Sequence, residues 1–327
     1  MPTLTNLEAI RTALAEELER DERVILMGED IGVHGGVFRA TDGLQARFGV
    51  DRVIDTPLAE LAIAGIAIGA AMTGLLPVAE MQFADYIHPA FDQIVNEAAK
   101  IRYRSGNDWE CPLVIRAPCG AVYPGGLYHS QSVEAYYAHI PGIKVVLPST
   151  PYDMKGLLKA AIRDRDPVIC LEHKKTYRSI KGQVPDEDYS VPIGVADLKR
   201  TGGDVSVITY GLMVHHALAA AEALAQEGID VEVLDLRTLL PLDRDAILAT
   251  ARKNGKVLLV SEDTLTGSIT GELAAIIAED AFTSLDAPIR RLCTPDVAGL
   301  PYNLPQLEWL LPNVEKIAAA LREVAAY

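Results

Sequence analysis

Cysteine is scarce, with four in 327 residues, and the nearest two, Cys111 and Cys119, stand too far apart for a CxxC pair. Their spacing excludes a zinc ribbon or a disulfide scaffold and fits a reducing compartment. Basic residues are also in deficit: 30 Lys and Arg against 45 Asp and Glu leave a net charge of −15. That sign is wrong for a phosphate backbone, so nucleic acid is not an expected partner. The basic clusters Lys100–Arg104 and His173–Lys175 read as solvated faces. No two glycines are separated by one residue, so the GxGxxG dinucleotide fingerprint is missing, as are GxxxxGK, GxSxG and HExxH. A secretory signal is missing too. Met1 to Asp21 reads as a charged amphipathic helix without an apolar stretch or cleavage site, which predicts a cytoplasmic protein.

One uncharged run, Leu61 to Ala79, raises the question of a membrane span. Its Ala, Gly and Ile composition, the break at Pro77, the bounding acids Glu60 and Glu80 and the lack of flanking Lys or Arg argue against one, so no membrane is expected. A helix buried on all sides is predicted instead, with Ala62, Gly65, Gly69, Ala70 and Gly74 allowing close helix approach, as at a subunit contact.

What is present is a long chain, 49% hydrophobic, with the length of two domains at about 150 residues each. Short β-branched runs alternate with helical periods: Val24–Met27, Val78–Phe83, Leu113–Arg116, Lys144–Leu147 and Val168–Glu172, then Val205–Gly211, Val231–Leu236 and Lys256–Ser261. That is α/β grammar and predicts two domains with mostly parallel sheets. A helix is expected through Pro89–Arg104, and residues 173–203, rich in Lys, Asp, Pro and Gly, read as the connection.

Three places offer chemistry. In Asp55-Thr56-Pro57-Leu58-Ala59-Glu60, Thr56 reads as an N-cap, Pro57 as the first helical residue and Glu60 as an acid one turn in. The ordinary explanation of Glu60 is complementing the helix dipole; the other is a carboxyl desolvated by the apolar helix behind it, with a raised pKa and a proton to give. Gln82, Asp85 and Tyr86 follow a strand at its C-terminal end, where open α/β sheets bind ligands. His129 sits in the glycine-rich string CGAVYPGGLYHSQS, Cys119 to Ser132, where a lone imidazole is reachable and suited to proton transfer. His139 and the pair His215-His216 read as surface or packing residues.

Taken together, DTPLAE with its small-residue helix, EMQFADYIHPAFDQIVNEAAKIRYRSG, GLYHSQSVEAYYAHIPGIKVVLPSTPYDMKGLLKAAIRDRDP and VLDLRTLLPLD closely resemble the beta subunits of thiamine-diphosphate-dependent 2-oxoacid dehydrogenases. QFADYI and HSQSxEAYYAH look more like the branched-chain type than the pyruvate type; a pyruvate or acetoin dehydrogenase beta subunit is the alternative. The resemblance implies a pyrimidine-binding domain over 1–185, a linker over 186–203 and a transketolase-type C-terminal domain over 204–327. It implies an α2β2 heterotetramer whose alpha subunit holds the diphosphate and Mg2+ through a GDG motif that this chain lacks. A lipoyl-bearing acyltransferase is the implied further partner. Carried over, Glu60 bonds the pyrimidine nitrogen and, protonated, favours the imino tautomer that removes the thiazolium C2 proton; Leu58, Gln82 and Tyr86 line the pyrimidine pocket. His129 faces substrate and lipoyl group. A potassium ion on main-chain carbonyls maps near Leu113, Val114, Ala161, Asp164 and Asp166. Met81, His88 and residues 119–127 depart from relatives, the last immediately before His129. A non-catalytic assembly protein is the remaining rival, and intact Glu60, Tyr86 and His129 argue against it.

Overall fold

The computed structural model describes residues 1–122 and 124–327, and these divide into two units. The first comprises Met1–Cys119 and Tyr136–Ile193, the second Gly120–Ala135 and Gly194–Tyr327. The expected pair of α/β domains is present. The stretch 120–135, which chain order alone assigns to the first domain, folds with the second.

The first unit opens with β1 (Thr3–Thr5) and α1 (Asn6–Arg20), where Thr5 and Glu8 form a reciprocal capping box that fixes the helix start. Then come β2 (Val24–Gly28), α2 (Leu44–Phe48), β3 (Val53–Asp55), α3 (Glu60–Met72), β4 (Leu76–Glu80), α4 (Ile101–Arg104) and β5 (Val114–Cys119). After α5 (Glu134–Ala138) follow β6 (Lys144–Val146), α6 (Pro151–Ile162), β7 (Val168–His173), α7 (Thr176–Ser179) and β8 (Lys181–Gln183). Its central strands run parallel in the order β6-β7-β5-β4-β2-β3. Strands buried along their whole length, apolar except for Arg116, Glu172 and His173 on β5 and β7, explain why sequence shows blocks rather than alternation. Ile10, Leu14, Leu157 and Leu158 pack α1 and α6 over one sheet face.

Four expectations change here, the first being that His173–Lys175 is no solvated face, since His173 and Lys174 are buried. The helix of DTPLAE starts at Glu60, with Ala59 rather than Thr56 in the cap position. The Thr56 amide bonds the Gly28 carbonyl at 2.9 Å, continuing the β2–β3 register and holding Thr56 extended. The helix predicted over 89–104 is instead a 3₁₀ turn at His88–Ala90, a π-helical segment at Gln93–Ala98 and the short α4. The uncharged run is helix plus strand, broken at Thr73 and Gly74, and α3 is not buried on all sides: Leu61 and Ile66 are 52% and 61% exposed. Among the described residues, no helix is long and apolar enough to cross a membrane.

The second unit contains β9 (Asp197–Arg200), β10 (Val205–Thr209), α8 (Leu212–Ala225), β11 (Val231–Asp235), β12 (Thr238–Leu240), α9 (Arg244–Asn254), β13 (Val257–Thr264), α10 (Ile269–Asp280), β14 (Arg290–Thr294), α11 (Leu304–Leu310) and α12 (Val314–Ala325). Its sheet runs β14-β13-β10-β11-β9, parallel except for β9. Ala217, Ala221 and Leu224 of α8 meet Ile317, Leu321 and Val324 of α12 in its core.

Candidate active site

In the first unit the chain leaves β2 for β3 on one side and returns to β4 on the other, so strand order reverses between β2 and β4. Such a reversal opens a crevice beyond the strands' C-terminal ends. Glu29 directly follows β2, Leu58 and Glu60 lie just beyond β3, and Gln82 and Tyr86 lie beyond β4. The segment after β2 is shaped by close approach: a Cβ on Gly32 would lie 2.3 Å from Asp55 Oδ2, while the Gly32 amide donates to Asp55 Oδ1 at 2.6 Å.

Glu60 is buried at 8% exposure, in the first turn of a helix without a side-chain cap, where free amides and the dipole face a carboxyl. Leu58 is 79% exposed, an apolar side chain presented beside a buried acid. Sequence reasoning missed Glu29. Burial, then the charges of Glu60 and Asp30, push its carboxyl above the ordinary range, and its Oε1 has no hydrogen-bond partner among the described residues. The available signal was a carboxylate immediately after the strand at the reversal. Tyr86 belongs to the same group: burial, then Asp85, Glu60 and Glu29, raise its phenol. An orphaned buried carboxylate oxygen, a second buried acid, a phenol and an exposed leucine suit a flat aminopyrimidine ring with an apolar body and polar edge.

These residues rest on a rigid base. The Tyr86 ring meets Phe83 edge-on with centroids 5.5 Å apart, Phe83 meets Phe38 at 5.4 Å, and Phe38 meets Tyr177 at 5.3 Å. Tyr177 donates to Glu172 Oε2 at 2.6 Å, and Glu172 holds Arg116 at 2.7 and 2.9 Å. Arg116 also donates to Glu80 at 2.6 Å, across three neighbouring strands. Burial works against the Arg116 charge, but Glu172 and Glu80 outweigh it and hold the guanidinium charged.

His129 belongs to the second unit and is half-buried. It follows a 3₁₀ turn at Gly126–Tyr128, and the segment closes on itself through Gly120 N–H to Gln131 O at 2.9 Å. Gly125 admits no side chain, since a Cβ would lie 2.2 Å from Ser130 Oγ and 2.6 Å from Val122 O. Tyr123, within the divergent stretch 119–127, lies outside the described residues.

The residues mapped to potassium lie at the C-terminal end of α6 and the start of β5. Leu113 O accepts from Val168 N–H at 2.8 Å and Ala161 O from Asp164 N–H at 3.2 Å. The Asp164 carboxylate is held by Lys144 at 2.7 Å, and Asp166 by Arg102 at 2.7 Å. Side-chain charge is therefore already neutralised, and a hard cation fits only through carbonyl lone pairs at the negative end of α6. Among the described residues no cluster of three His, Cys, Asp or Glu side chains is arranged to hold a metal.

Comparison with known proteins completes the description. Residues 3–180 match the family model of the transketolase pyrimidine binding domain, and residues 194–317 that of the transketolase C-terminal domain. The 2-oxoisovalerate dehydrogenase subunit beta of Bacillus subtilis (strain 168) is 59% identical over 327 residues, covering 100% of both chains. The pyruvate dehydrogenase E1 component subunit beta of the same strain is 47% identical with the same full coverage. A solved "split gene transketolase, inactive beta4 tetramer" matches with TM-score 0.80 and 24% identity, covering 99% of this chain and 98% of that one. At that identity it speaks to the fold alone.

Proposed function

The chain belongs to the family of 2-oxoacid dehydrogenase E1 beta subunits, and we propose that it serves the branched-chain 2-oxoacid reaction, oxidative decarboxylation followed by acyl transfer to a lipoyl group. The observation that carries the chemistry is the grouping of buried Glu60 and Glu29 with Tyr86 at the β2–β4 strand reversal. The branched-chain substrate is supported by 59% identity to a 2-oxoisovalerate dehydrogenase beta subunit, against 47% to a pyruvate dehydrogenase one. Kinetics with 2-oxoisovalerate and pyruvate separate the two. In this reading the chain works in the cytoplasm as part of an α2β2 heterotetramer, with Mg2+ and the diphosphate held by the alpha subunit. The lipoyl group arrives on an acyltransferase, and potassium binds the carbonyls near Leu113, Val114, Ala161, Asp164 and Asp166.

Thiamine diphosphate, when bound, supplies the electron sink for decarboxylation. Glu60 holds a proton against the pyrimidine nitrogen, from a helix terminus that fixes its direction. Leu58 would supply the apolar face for the ring, Gln82 a polar contact, and Tyr86, backed by Phe83, a further wall of the pocket. Glu29, buried and beside Glu60, is itself pushed above the ordinary carboxyl range and adds a second acid to this edge of the crevice. His129 holds the proton that a departing lipoyl thiolate needs.

Glu60→Gln tests the assignment. The amide is nearly isosteric and still donates a hydrogen bond but transfers no proton, so turnover of the reconstituted heteromer should fall about 10²–10⁴-fold while the fold survives. C2 proton exchange of bound thiamine diphosphate should slow with it. Exchange at the wild-type rate would return Glu60 to a helix-dipole role. The chain by itself should show no decarboxylase activity and gain it with the alpha partner.

A further inference from the structure

The second unit has a strand reversal of its own. Its chain leaves β10 for β11 on one side and returns to β13 on the other, so a crevice opens beyond β10 and β13. In this chain that position meets the segment 120–135. Glu262, near the end of β13, accepts from the Ala121 amide at 2.6 Å, at the beginning of the segment. Tyr210, directly after β10, donates to Glu134 Oε1 at 2.9 Å, at the segment's other end. The Tyr210 hydroxyl lies 2.7 Å from Ser261 Oγ, and Ser261 accepts from the Asp263 amide at 3.0 Å. Tyr210 has one proton, so giving it to Glu134 leaves Ser261 as its donor and sets the direction of the chain of bonds. Between the two anchors, Leu127 lies against Gly299 and Tyr302 against Gly126.

We propose that Glu134 is a positioning residue: with Tyr210 at one end and Glu262 on Ala121 at the other, it latches the 120–135 segment onto β10 and β13 and so fixes where His129 stands. The catalytic half of this statement rests on the reading of His129 given above. The latch itself does not.

The groups facing Glu134 are Asp263 and Glu262 from β13 and Tyr210 from the end of β10, and the two acids oppose its ionisation. Burial first, then Asp263, push the Glu134 carboxyl up to about 8 from its ordinary 4.5. Burial likewise lifts Asp263 to about 6. The latched segment therefore keeps a proton that a released segment loses. The sign follows: latching is strongest at low pH and weakens about tenfold per pH unit until pH passes about 8, where it levels off.

Backbone hydrogen exchange of the full chain between pH 6 and 9.5, normalised to intrinsic rates, reads this directly. Peptides over 120–135 should lose protection about tenfold per unit up to about pH 8 in the wild type. Glu134→Gln keeps the acceptor and cannot ionise, so its protection should stay flat with pH. Glu134→Ala should leave the segment exchanging fast at every pH. A wild-type profile without pH dependence, or Glu134→Gln following the wild type, overturns the latch. His129→Ala should leave exchange unchanged, which keeps failure of the latch distinct from failure of the His129 assignment. In the reconstituted heteromer, Glu134→Gln should lessen the alkaline decline of lipoyl acylation while leaving its rate near pH 6.5 within about twofold of wild type. An alkaline decline kept unchanged in Glu134→Gln, with the exchange result as expected, removes only the link to His129.

Discussion

The two units bury polar groups near the same topological position, the strand reversal, but balance them differently. In the first, Arg116 at 1% exposure stands between Glu80 and Glu172, so cation and carboxylates compensate one another and Tyr177 completes the bonding. In the second, the groups acting on Glu134 are acids and a phenol, and the compensation is a retained proton. A paired network of the first kind keeps its charges through Arg116, although burial still holds the Glu80 carboxyl above its ordinary range. A proton-dependent one changes within the range in which enzymes work. The first arrangement suits a floor beneath the proposed cofactor site, the second the proposed latch of a segment that holds a side chain in place.

Removing the cation should break this contrast most strongly. Arg116→Met leaves two carboxylates facing each other in the core and should cost about 3–5 kcal/mol of stability, read as a shift in denaturant midpoint. Replacing Arg116, Glu80 and Glu172 together with apolar residues of similar volume should recover most of that loss, because the desolvation cost of all three charges goes with them. A triple variant as unstable as the single one would mean that the network contributes through shape rather than charge.

Much of this was legible in the sequence, and the failures have physical causes. Strand blocks such as Val24–Gly28 and Val205–Thr209 read correctly because both faces of a parallel strand are buried. Glu60 stands out as a candidate because helix-start signals precede it in one short string and an uncharged apolar helix follows it. The helix start was misplaced because Thr56 and Pro57 carry the usual cap signals, and a backbone bond from Thr56 to Gly28, 28 residues earlier, overrides them. The irregular turns between His88 and Arg104 have an apolar helical period and no local mark of a π segment. Glu29, Arg116 and Glu134 were passed over as single charged residues. Their partners lie far off in the chain, Glu172 being 56 residues from Arg116 and Tyr210 76 from Glu134. Side chains that meet only through topology leave no pattern in a window of sequence.

A smaller effect sharpens the comparison from the cofactor end of the first unit. Among the described residues Glu29 is a buried acid without a compensating base, whereas burial at Glu80 is partly offset by Arg116, although both belong to the paired unit. The folded pKa of Glu29 is raised above the ordinary 4.5, so its penalty is small below that value and grows as pH rises through the folded one. Glu29→Gln should therefore stabilise the chain at neutral pH, by about 0.5–1 kcal/mol, with no gain at pH 4. Thermal melts of both proteins at the two pH values decide it, and a gain independent of pH would assign the effect to packing instead.

The smallest expected effect concerns a third, half-exposed arrangement, in which Lys144 and Arg102 meet Asp164 and Asp166 with side chains 17–32% exposed. Two cations already face two carboxylates there, so a potassium ion gains only from main-chain carbonyls at the end of α6, a helix-terminus contribution of about 0.3–1 kcal/mol. If 0.1 M potassium is comparable to its dissociation constant, mass action stabilises by RT ln 2, about 0.4 kcal/mol. In a chain of this length that is a Tm rise of about 1–2 °C. Melts in potassium, sodium and choline chloride at one ionic strength isolate the specific part from screening, which acts equally in all three. Potassium should exceed sodium, and sodium should match choline. In Lys144→Met the freed Asp164 carboxylate should strengthen the site for both metal ions, so their difference should narrow while both rise above choline. Equal melts in potassium and sodium for the unmodified chain would remove potassium from the proposed function and leave Lys144 as the cation that completes this corner of the fold.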